Sequence, residues 1–520
     1  MTPLINARAA LTKGDFPTAA RLAEPITQTH PTTAEAHFIL GMALAETGHV
    51  AHALGRVAQA TTLSPTTAEY AAQHARLLIL LRRDADAATA ATRAAALPSD
   101  DPLVLDTIGC VHARLGDHAA ALPLFARATA AAPDNLSFRF NHASSLGFFG
   151  RTADAATHYE AMLAIDPANG PAHYGLANLT RQTPETTARI EAALPLARTH
   201  ETRVQLHYAA AKAHEDLGHP AQTFAHLSAA NSAHKTHIAY RPDPDAAIAA
   251  ALQSAFQTPT YFTGAGDPTH APIFVVGLPR TGTTLVDRIL AAHPAVQSLG
   301  ELQAMPLALK RLAKTPSRLV LDPETIAAAA QIPPRAVAEA YLTQANAQSG
   351  VTNNRRILDK FPLNFLYIGH IARALPNARI VCLRRHPLDS VWSNYKHMFA
   401  LNSPYYGWSY DLLDTARYYA LFDRLMAFWA QQFPGRVLSL GYETLIENQQ
   451  TQTEHLLTHC GLTWHEGCLD FHRTTAAVAT PSAQQVRRPL NRDSIGRWRD
   501  HTAALAPVID WFTREGIAIA

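Results

Sequence analysis

APIFVVGLPRTGTTLVDRILAAHP, residues Ala271 to Pro294 of the 520-residue chain, sets the architecture expected of its second half. It begins with the short apolar run PIFVVG, rich in β-branched residues, which is the pattern of a strand buried in a parallel sheet. From Thr283 the spacing becomes helical, with Leu285, Ile289 and Ala292 on one face and a stop at Pro294. Between strand and helix lies Gly277-Leu-Pro-Arg-Thr-Gly282-Thr-Thr284. Glycines there let backbone N–H groups curl around an anion, and the helix N-terminus adds partial positive charge. The spacing is close to that of a nucleotide P-loop, G-x-x-x-x-G-K-[ST], but Thr283 stands where the lysine would be. In P-loop kinases that lysine reaches the β- and γ-phosphates while Mg²⁺ helps neutralise them. Hydroxyls from Thr281, Thr283 and Thr284 with one guanidinium from Arg280 suit a single phosphate bearing a transferable group better than a triphosphate with its metal.

About a hundred residues on, ARIVCLRRHPLDSVWSNYKHMF predicts a strand over Arg379–Leu383, a turn and a helix. Arg385 and Ser393 are eight residues apart, with Pro387 and Asp389 between them. A planar guanidinium and a hydroxyl at a helix start make a tight phosphate grip. Arg384 is the rival for the arginine's place. Near the C-terminus comes VRRPLNRDSIGRWRD, and RVLSLGYETL predicts a further strand. Together these segments resemble the sulfotransferases that use 3′-phosphoadenosine 5′-phosphosulfate (PAPS). The resemblance implies that Pro279, Arg280, Thr281, Gly282, Thr283 and Thr284 cradle the 5′-phosphosulfate without a metal. It implies that Arg385 and Ser393 hold the 3′-phosphate, and that Gly496, Arg497 and Trp498 fold over the 3′-phosphate and adenosine. Arg487 and Arg488 stand open between ligand contacts and solvated surface. Tyr442 and Glu443 are expected to be structural.

Sulfuryl transfer is an in-line displacement that needs a base for the acceptor hydroxyl and cations for the bridging oxygen. With 27 histidines in the chain, a lone histidine says little, and His293 at a helix end is expected to cap or pack. Glu301, in SLGELQAMP, follows Arg280 by 21 residues, which is similar to the catalytic glutamate of tyrosylprotein sulfotransferases. That likeness implies a general base, against the alternative of an acid favoured at a helix start. Lys360, in RILDKFPLNF, resembles the lysine that family places at the transferring sulfonate; the alternative is a buried Asp359–Lys360 ion pair. Ser482, four residues before Val486, resembles a further serine of that site.

The first half reads differently. Prolines recur at Pro31, Pro65, Pro98, Pro133 and Pro167, a period near 34 that marks paired-helix repeats. Gly41, Gly109 and Gly175 fall in first helices where a partner must approach closely. Gly48, Gly116 and Gly150 end first helices, and Ala53, Ala121 and Ala155 take the small position of second helices. From about Thr32 to Thr180 the pattern resembles tetratricopeptide repeats, and Arg203–Ala233 keeps a helix–turn–helix pattern around EDLGHPAQ. Such arrays offer a concave surface to a protein partner, or serve as architectural support. The Pro- and Gly-rich stretch around a helical Asp245–Phe256 suits a connector.

Composition narrows the function. Net charge is +2, against a dedicated nucleic-acid binder, yet from Ala271 onward 25 Lys and Arg face 19 Asp and Glu, which suits an anionic ligand. Four cysteines without CxxC or Cys/His spacing indicate neither a disulfide framework nor a zinc site, so no metal is expected. No apolar run approaches the roughly 20 residues of a membrane helix, and the N-terminus, expected as an amphipathic helix, lacks a signal-like segment. The expectation is a reducing, cytoplasmic setting, with a transit peptide as the alternative. The fold class expected is α + α/β: a repeat superhelix (1–240), a connector (241–270), then a P-loop-like three-layer α/β sulfotransferase domain with a mainly parallel sheet (271–520). The expected activity is PAPS-dependent sulfation of a hydroxyl, with a protein tyrosine as acceptor and the repeats presenting the polypeptide. Bacterial proteins that join such repeats to such a domain are the nearer overall likeness, and their acceptors are in general unassigned. The alternatives are a carbohydrate or small-molecule acceptor, an Mg²⁺-dependent kinase or NTPase, and a non-catalytic adaptor.

Overall fold

The computed structural model describes residues 2–317, 319–349, 355–473, 477–478 and 485–519. Ser482 lies outside them. Packing divides the chain into two compact units, Met1–Phe148 and Phe149–Ala520.

The first unit is helical throughout. Helices pair across tight turns as Thr2–Thr12 with Phe16–Thr29, Ala34–Glu46 with Val50–Leu63, Ala68–Leu80 with Asp84–Ala95, and Pro102–Arg114 with His118–Ala131, followed by Leu136–Phe148. The proline period begins only after the first pair, because Pro31 closes a unit that no earlier proline opens. Gly48 and Gly116 carry φ of 88° and 85° in their turns. Ala53 and Ala121 are fully buried where helices cross. Arg8 ties three first helices together: its guanidinium meets Glu35 at 2.6 Å and Glu69 at 2.8 Å, and the Tyr70 hydroxyl donates to Glu35 at 2.5 Å.

The second unit opens with more paired helices, Thr152–Ile165 with Gly170–Leu179 and His200–Asp216 with Pro220–Ile238, separated by Pro184–Ala193. The connector helix runs Asp243–Gln257. Five parallel strands follow: Ile273–Gly277 (β1), Val296–Ser298 (β2), Arg356–Asp359 (β3), Arg379–Arg384 (β4) and Val437–Gly441 (β5). Their order is β2-β3-β1-β4-β5. The chain leaves β1 toward β2 and later returns past it to β4, so the connections diverge at the carboxyl ends of β1 and β4. In open α/β sheets ligands bind at such a switch point. Every residue of β1 is buried, as its continuous apolar run predicts for a central parallel strand. Tyr208 and Leu227, from the helices His200–Asp216 and Pro220–Ile238, share one core with Phe274, Val276 and Trp429. Those helices are therefore part of the packing that holds the sheet. Among the described residues no helix is long and apolar enough to cross a membrane.

Two helix glycines of the first unit separate close packing from intrinsic propensity. A Cβ on Gly109 would stand 2.7 Å from the ring of Phe125, which is itself buried, whereas one on Gly55 would meet nothing within 4 Å. Gly109→Ala is expected to destabilise the protein by about 1–3 kcal/mol through overpacking. Gly55→Ala is expected to stabilise it by up to about 1 kcal/mol through helix propensity. Urea denaturation of both variants checks the pair, and equal effects would contradict the packing account.

Candidate active site

The loop after β1 is held by the segment after β4. Gly277 pairs with Leu383 at the end of β4. Gly282 starts the next helix at φ 103°, and a Cβ there would lie 2.6 Å from the ring of Tyr442, so both backbone and space require glycine. The Pro279 carbonyl accepts from Asn394 Nδ2 at 2.9 Å. The Arg280 carbonyl accepts from Arg385 Nη1 at 3.0 Å and from Ser393 Oγ at 3.4 Å. Thr281 turns its hydroxyl back onto the Leu278 carbonyl at 2.7 Å, and Thr283 is buried.

The structure separates the two adjacent arginines. Arg384 forms an ion pair with Asp423 and lies over the Phe422 ring at 5.6 Å. Arg385 lies over the Tyr442 ring at 5.1 Å and donates to the carbonyls of Arg280 and Ser494. Among the described residues it has no carboxylate partner, and its Nε is buried without a hydrogen bond. A half-buried cation in that state favours an anion beside it.

The C-terminal segment is fastened by one carboxylate. Asp389 accepts the backbone N–H of Gly496 at 2.7 Å and of Trp498 at 3.2 Å. The Trp498 ring stacks on His386, with centroids 5.5 Å apart and planes at 8°. Tyr442 and Ser494 join hydroxyls at 2.6 Å, and Glu443 accepts from the His386 N–H at 2.9 Å.

These elements enclose a cavity of about 1060 Å³. Of the residues expected to bind cofactor, Arg280, Gly282, Thr284, Arg385, Ser393 and Arg497 line it. Pro279, Thr281, Thr283, Gly496 and Trp498 belong to the same segments but not to the wall. Arg488 is on the wall, while Arg487 packs against Gly150. The far wall was not legible in the motifs: it comes from Tyr174, Tyr208, Lys212 and Glu215, on helices with repeat-like spacing, and from Lys396 and His397. Glu215 pairs with Lys396 at 2.6 Å, and Asn231 donates to the Tyr395 carbonyl at 3.0 Å, so the helices Gly170–Ile238 are pinned to the helix after β4. Burial pushes the Tyr174 hydroxyl up to about 12, although Arg280 pulls the other way. Burial also drives the His397 imidazole well below the usual histidine range, with Arg280 and Lys396 adding to it. His397 thus faces the positive charge of Arg280 and Lys396 from its position on the wall. Its signal in the sequence was faint, one histidine among 27.

The expected catalytic pair forms by strand extension. Beyond β2 and β3 the ladder continues, with Leu299 N–H on the Leu358 carbonyl and Lys360 N–H on the Gly300 carbonyl, both at 2.9 Å. That register brings Lys360 Nζ to Glu301 Oε1 at 2.5 Å. Lys360 is buried, whereas the Glu301 side chain is 44% exposed, and neither borders the 1060 Å³ cavity. The ion partner of Lys360 is Glu301, not Asp359. Asp359 is fully buried, and burial pushes its carboxyl well above the usual range, offset only in part by Asn364, the Leu302 backbone and Lys360. His293 is structural as expected: its Nε2 meets the Thr463 carbonyl and its Nδ1 accepts from the Ala295 N–H, both at 3.1 Å.

Comparison with known proteins finds relatives for both halves of the chain. Residues 272–466 match the sulfotransferase family model, and residues 6–68 and 107–170 match the tetratricopeptide repeat. An uncharacterised protein of Aquifex aeolicus (strain VF5) is 34% identical over 254 residues, 48% of this chain and 33% of that protein, so the chain spans a third of this relative's length. Protein-tyrosine sulfotransferase 1 of Danio rerio is 22% identical over 238 residues, 44% of this chain and 65% of that protein. Among solved structures, the sulfotransferase domain of the Synechococcus PCC 7002 olefin synthase aligns with 48% of this chain and 98% of its own, at 19% identity and a TM-score of 0.34.

Asp359 gives a test of the site's electrostatics that does not need a substrate. With its folded pKa raised, the native state keeps a proton that the unfolded chain releases above about pH 3.9. The carboxyl therefore costs stability increasingly as pH rises from about 4 toward neutrality. Asp359→Asn is expected to melt at a higher temperature than the parent at pH 7.5, with the gap shrinking toward pH 4. A gap independent of pH would mean that Asp359 is ionised in the fold.

Proposed function

We propose that this chain, in which a sulfotransferase-family domain follows tetratricopeptide repeats, transfers the sulfuryl group of PAPS to a hydroxyl of a polypeptide, with a tyrosine as the acceptor. The observation that carries the proposal is Arg385: a cation with no carboxylate partner among the described residues, bonded to the loop carbonyl of Arg280, on the wall of a cavity that Ser393 and Thr284 also line. In this reading the loop Pro279–Thr284 takes the 5′-phosphosulfate, and Arg385 with Ser393 takes the 3′-phosphate. Arg497 closes over the nucleotide from the segment that Asp389 fastens. Glu301 accepts the hydroxyl proton as the acceptor oxygen bonds to sulfur. Lys360 and Arg280 stabilise the negative charge left on the bridging oxygen as the S–O bond to 3′,5′-adenosine diphosphate breaks. The repeats present the polypeptide. The cysteines are unpaired, which fits a reducing, cytoplasmic setting.

His397 supplies a second candidate for the base, because it lines the cavity and Glu301 does not.

Calorimetric titration with 3′,5′-adenosine diphosphate, with and without Mg²⁺ and with ATP as control, tests the nucleotide. Metal-independent binding, weakened roughly a hundredfold in Arg385→Ala, is expected, in line with the loss of a buried charge partner. A preference for Mg-ATP would overturn the proposal. Sulfation assays on tyrosine peptides and on glycans then decide the acceptor. Glu301→Gln is expected to lower kcat by about 10²–10⁴-fold with nucleotide binding intact; undiminished turnover there, with loss in His397→Gln, would transfer the role of base to His397.

A further inference from the structure

The helices Pro184–Ala193, His200–Asp216 and Pro220–Ile238 bring together side chains that neither the repeats nor the sulfotransferase site uses. Glu191 Oε1 lies 2.9 Å from His214 Nε2 and 3.9 Å from His226 Nε2. The three donor atoms all lie within 4.8 Å of one another. Each helix contributes one ligand atom. Two imidazole nitrogens and a carboxylate oxygen form a donor set for a divalent ion of the zinc class, with one position left for water. For metal–ligand bonds of the usual length, ligand atoms in a tetrahedral site stand about 3.4 Å apart, so the 2.9 Å separation would widen slightly while the longer ones close.

The surrounding contacts fit the same purpose. His214 Nδ1 lies 3.3 Å from His219 Nδ1, and His226 Nδ1 lies 3.0 Å from His207 Nδ1. With protons on the Nδ1 atoms of His214 and His226, each would donate to its neighbouring imidazole and leave Nε2 free to ligate. Ligating histidines are commonly oriented in this way by a partner on the second nitrogen. The His214 and His226 rings lie 5.4 Å apart with planes at 16°, and the convergence of their ligand atoms with Glu191 is given by the donor separations. His214 is buried while Glu191 is exposed, which leaves a route for the ion from solvent.

We propose that Glu191, His214 and His226 bind a zinc-class divalent cation, with His207 and His219 as positioning residues. Metal binding takes the place of the 2.9 Å contact between His214 Nε2 and the Glu191 carboxylate, and the bound ion staples three successive helices. His214 sits between Lys212 and Glu215, which border the 1060 Å³ cavity, so the staple fixes a wall of the candidate active site. Cys/His spacing gave no hint of it, because the ligands come from three elements and no cysteine takes part.

The test uses the full chain stripped with chelator and titrated with Zn²⁺ and with Co²⁺. The expected result is one equivalent per chain, with Co²⁺ d–d bands of four- or five-coordinate intensity. Glu191→Gln, at an exposed position, is expected to weaken binding at least tenfold, and His226→Ala to abolish the stoichiometric step. His219→Ala is expected to weaken it about 10–100-fold. His237→Ala is the control, since it removes a histidine of the separate His200–His234–His237 cluster on the same helices, and it should leave binding unchanged. Zinc should raise the melting temperature of the parent by more than that of Glu191→Gln at the same zinc concentration. Absence of stoichiometric binding, unchanged binding in Glu191→Gln and His226→Ala, or equal loss in His237→Ala would each overturn the proposal. Because the readouts are metal content, spectrum and melting, they do not depend on sulfotransferase activity.

Discussion

The carbonyl oxygens of Pro279 and Arg280 are the point on which the site turns. Both are taken by side chains that follow β4, from Asn394, Arg385 and Ser393. A glycine-rich turn between a strand and a helix has many accessible shapes, and these bonds select one. They also join the two segments, since Arg385 cannot shift without releasing the Arg280 carbonyl of the loop. Placing the two segments after neighbouring parallel strands is what makes the bond possible: β1 and β4 pair residue for residue as far as Gly277 and Leu383.

Around that centre the molecule uses single polar contacts to fasten whole segments. Asp389 holds Gly496 and Trp498 by their backbone N–H groups, so a carboxylate on the helix after β4 anchors a segment more than a hundred residues away. Glu215 and Asn231 fasten the preceding helices to Lys396 and the Tyr395 carbonyl. Burial alone would raise the Glu215 carboxyl, yet Lys396 and Lys212 hold it below the usual range. These helices share a core with the sheet, so their contribution to the cavity wall rests on packing as well as on the ion pair.

Much of the site was legible because its signals are local. A strand, a glycine turn and a helix start within 24 residues of one another, and the alternation at a strand end is enough to send Arg384 toward Asp423 and Arg385 toward the loop. Glu301 and Lys360 were singled out separately by resemblance, and the β2–β3 ladder is what brings them into contact. What could not be read was whatever depends on distant elements meeting. Tyr174, Glu215, Lys396 and His397 carry no motif, and only the tertiary fold puts them on one wall. The Trp498 ring is stacked on His386, a pairing no local pattern encodes. The repeat spacing likewise says nothing of where packing divides the helices, which is at Phe148 and not where the period fades.

The strand order carries a consequence for the birth of the molecule. Each helix pair of Met1–Phe148 meets its neighbour within about 34 residues, so it can form from chain already at hand. The sheet has no such local route. β1 needs β3 and β4 beside it, and the order is complete only when β5 arrives about 160 residues after β1. During synthesis the apolar strand Ile273–Gly277 therefore emerges long before its partners exist, whereas the helical half can already be folded behind it. The slow, aggregation-exposed stage of this chain's maturation lies in assembling its sheet.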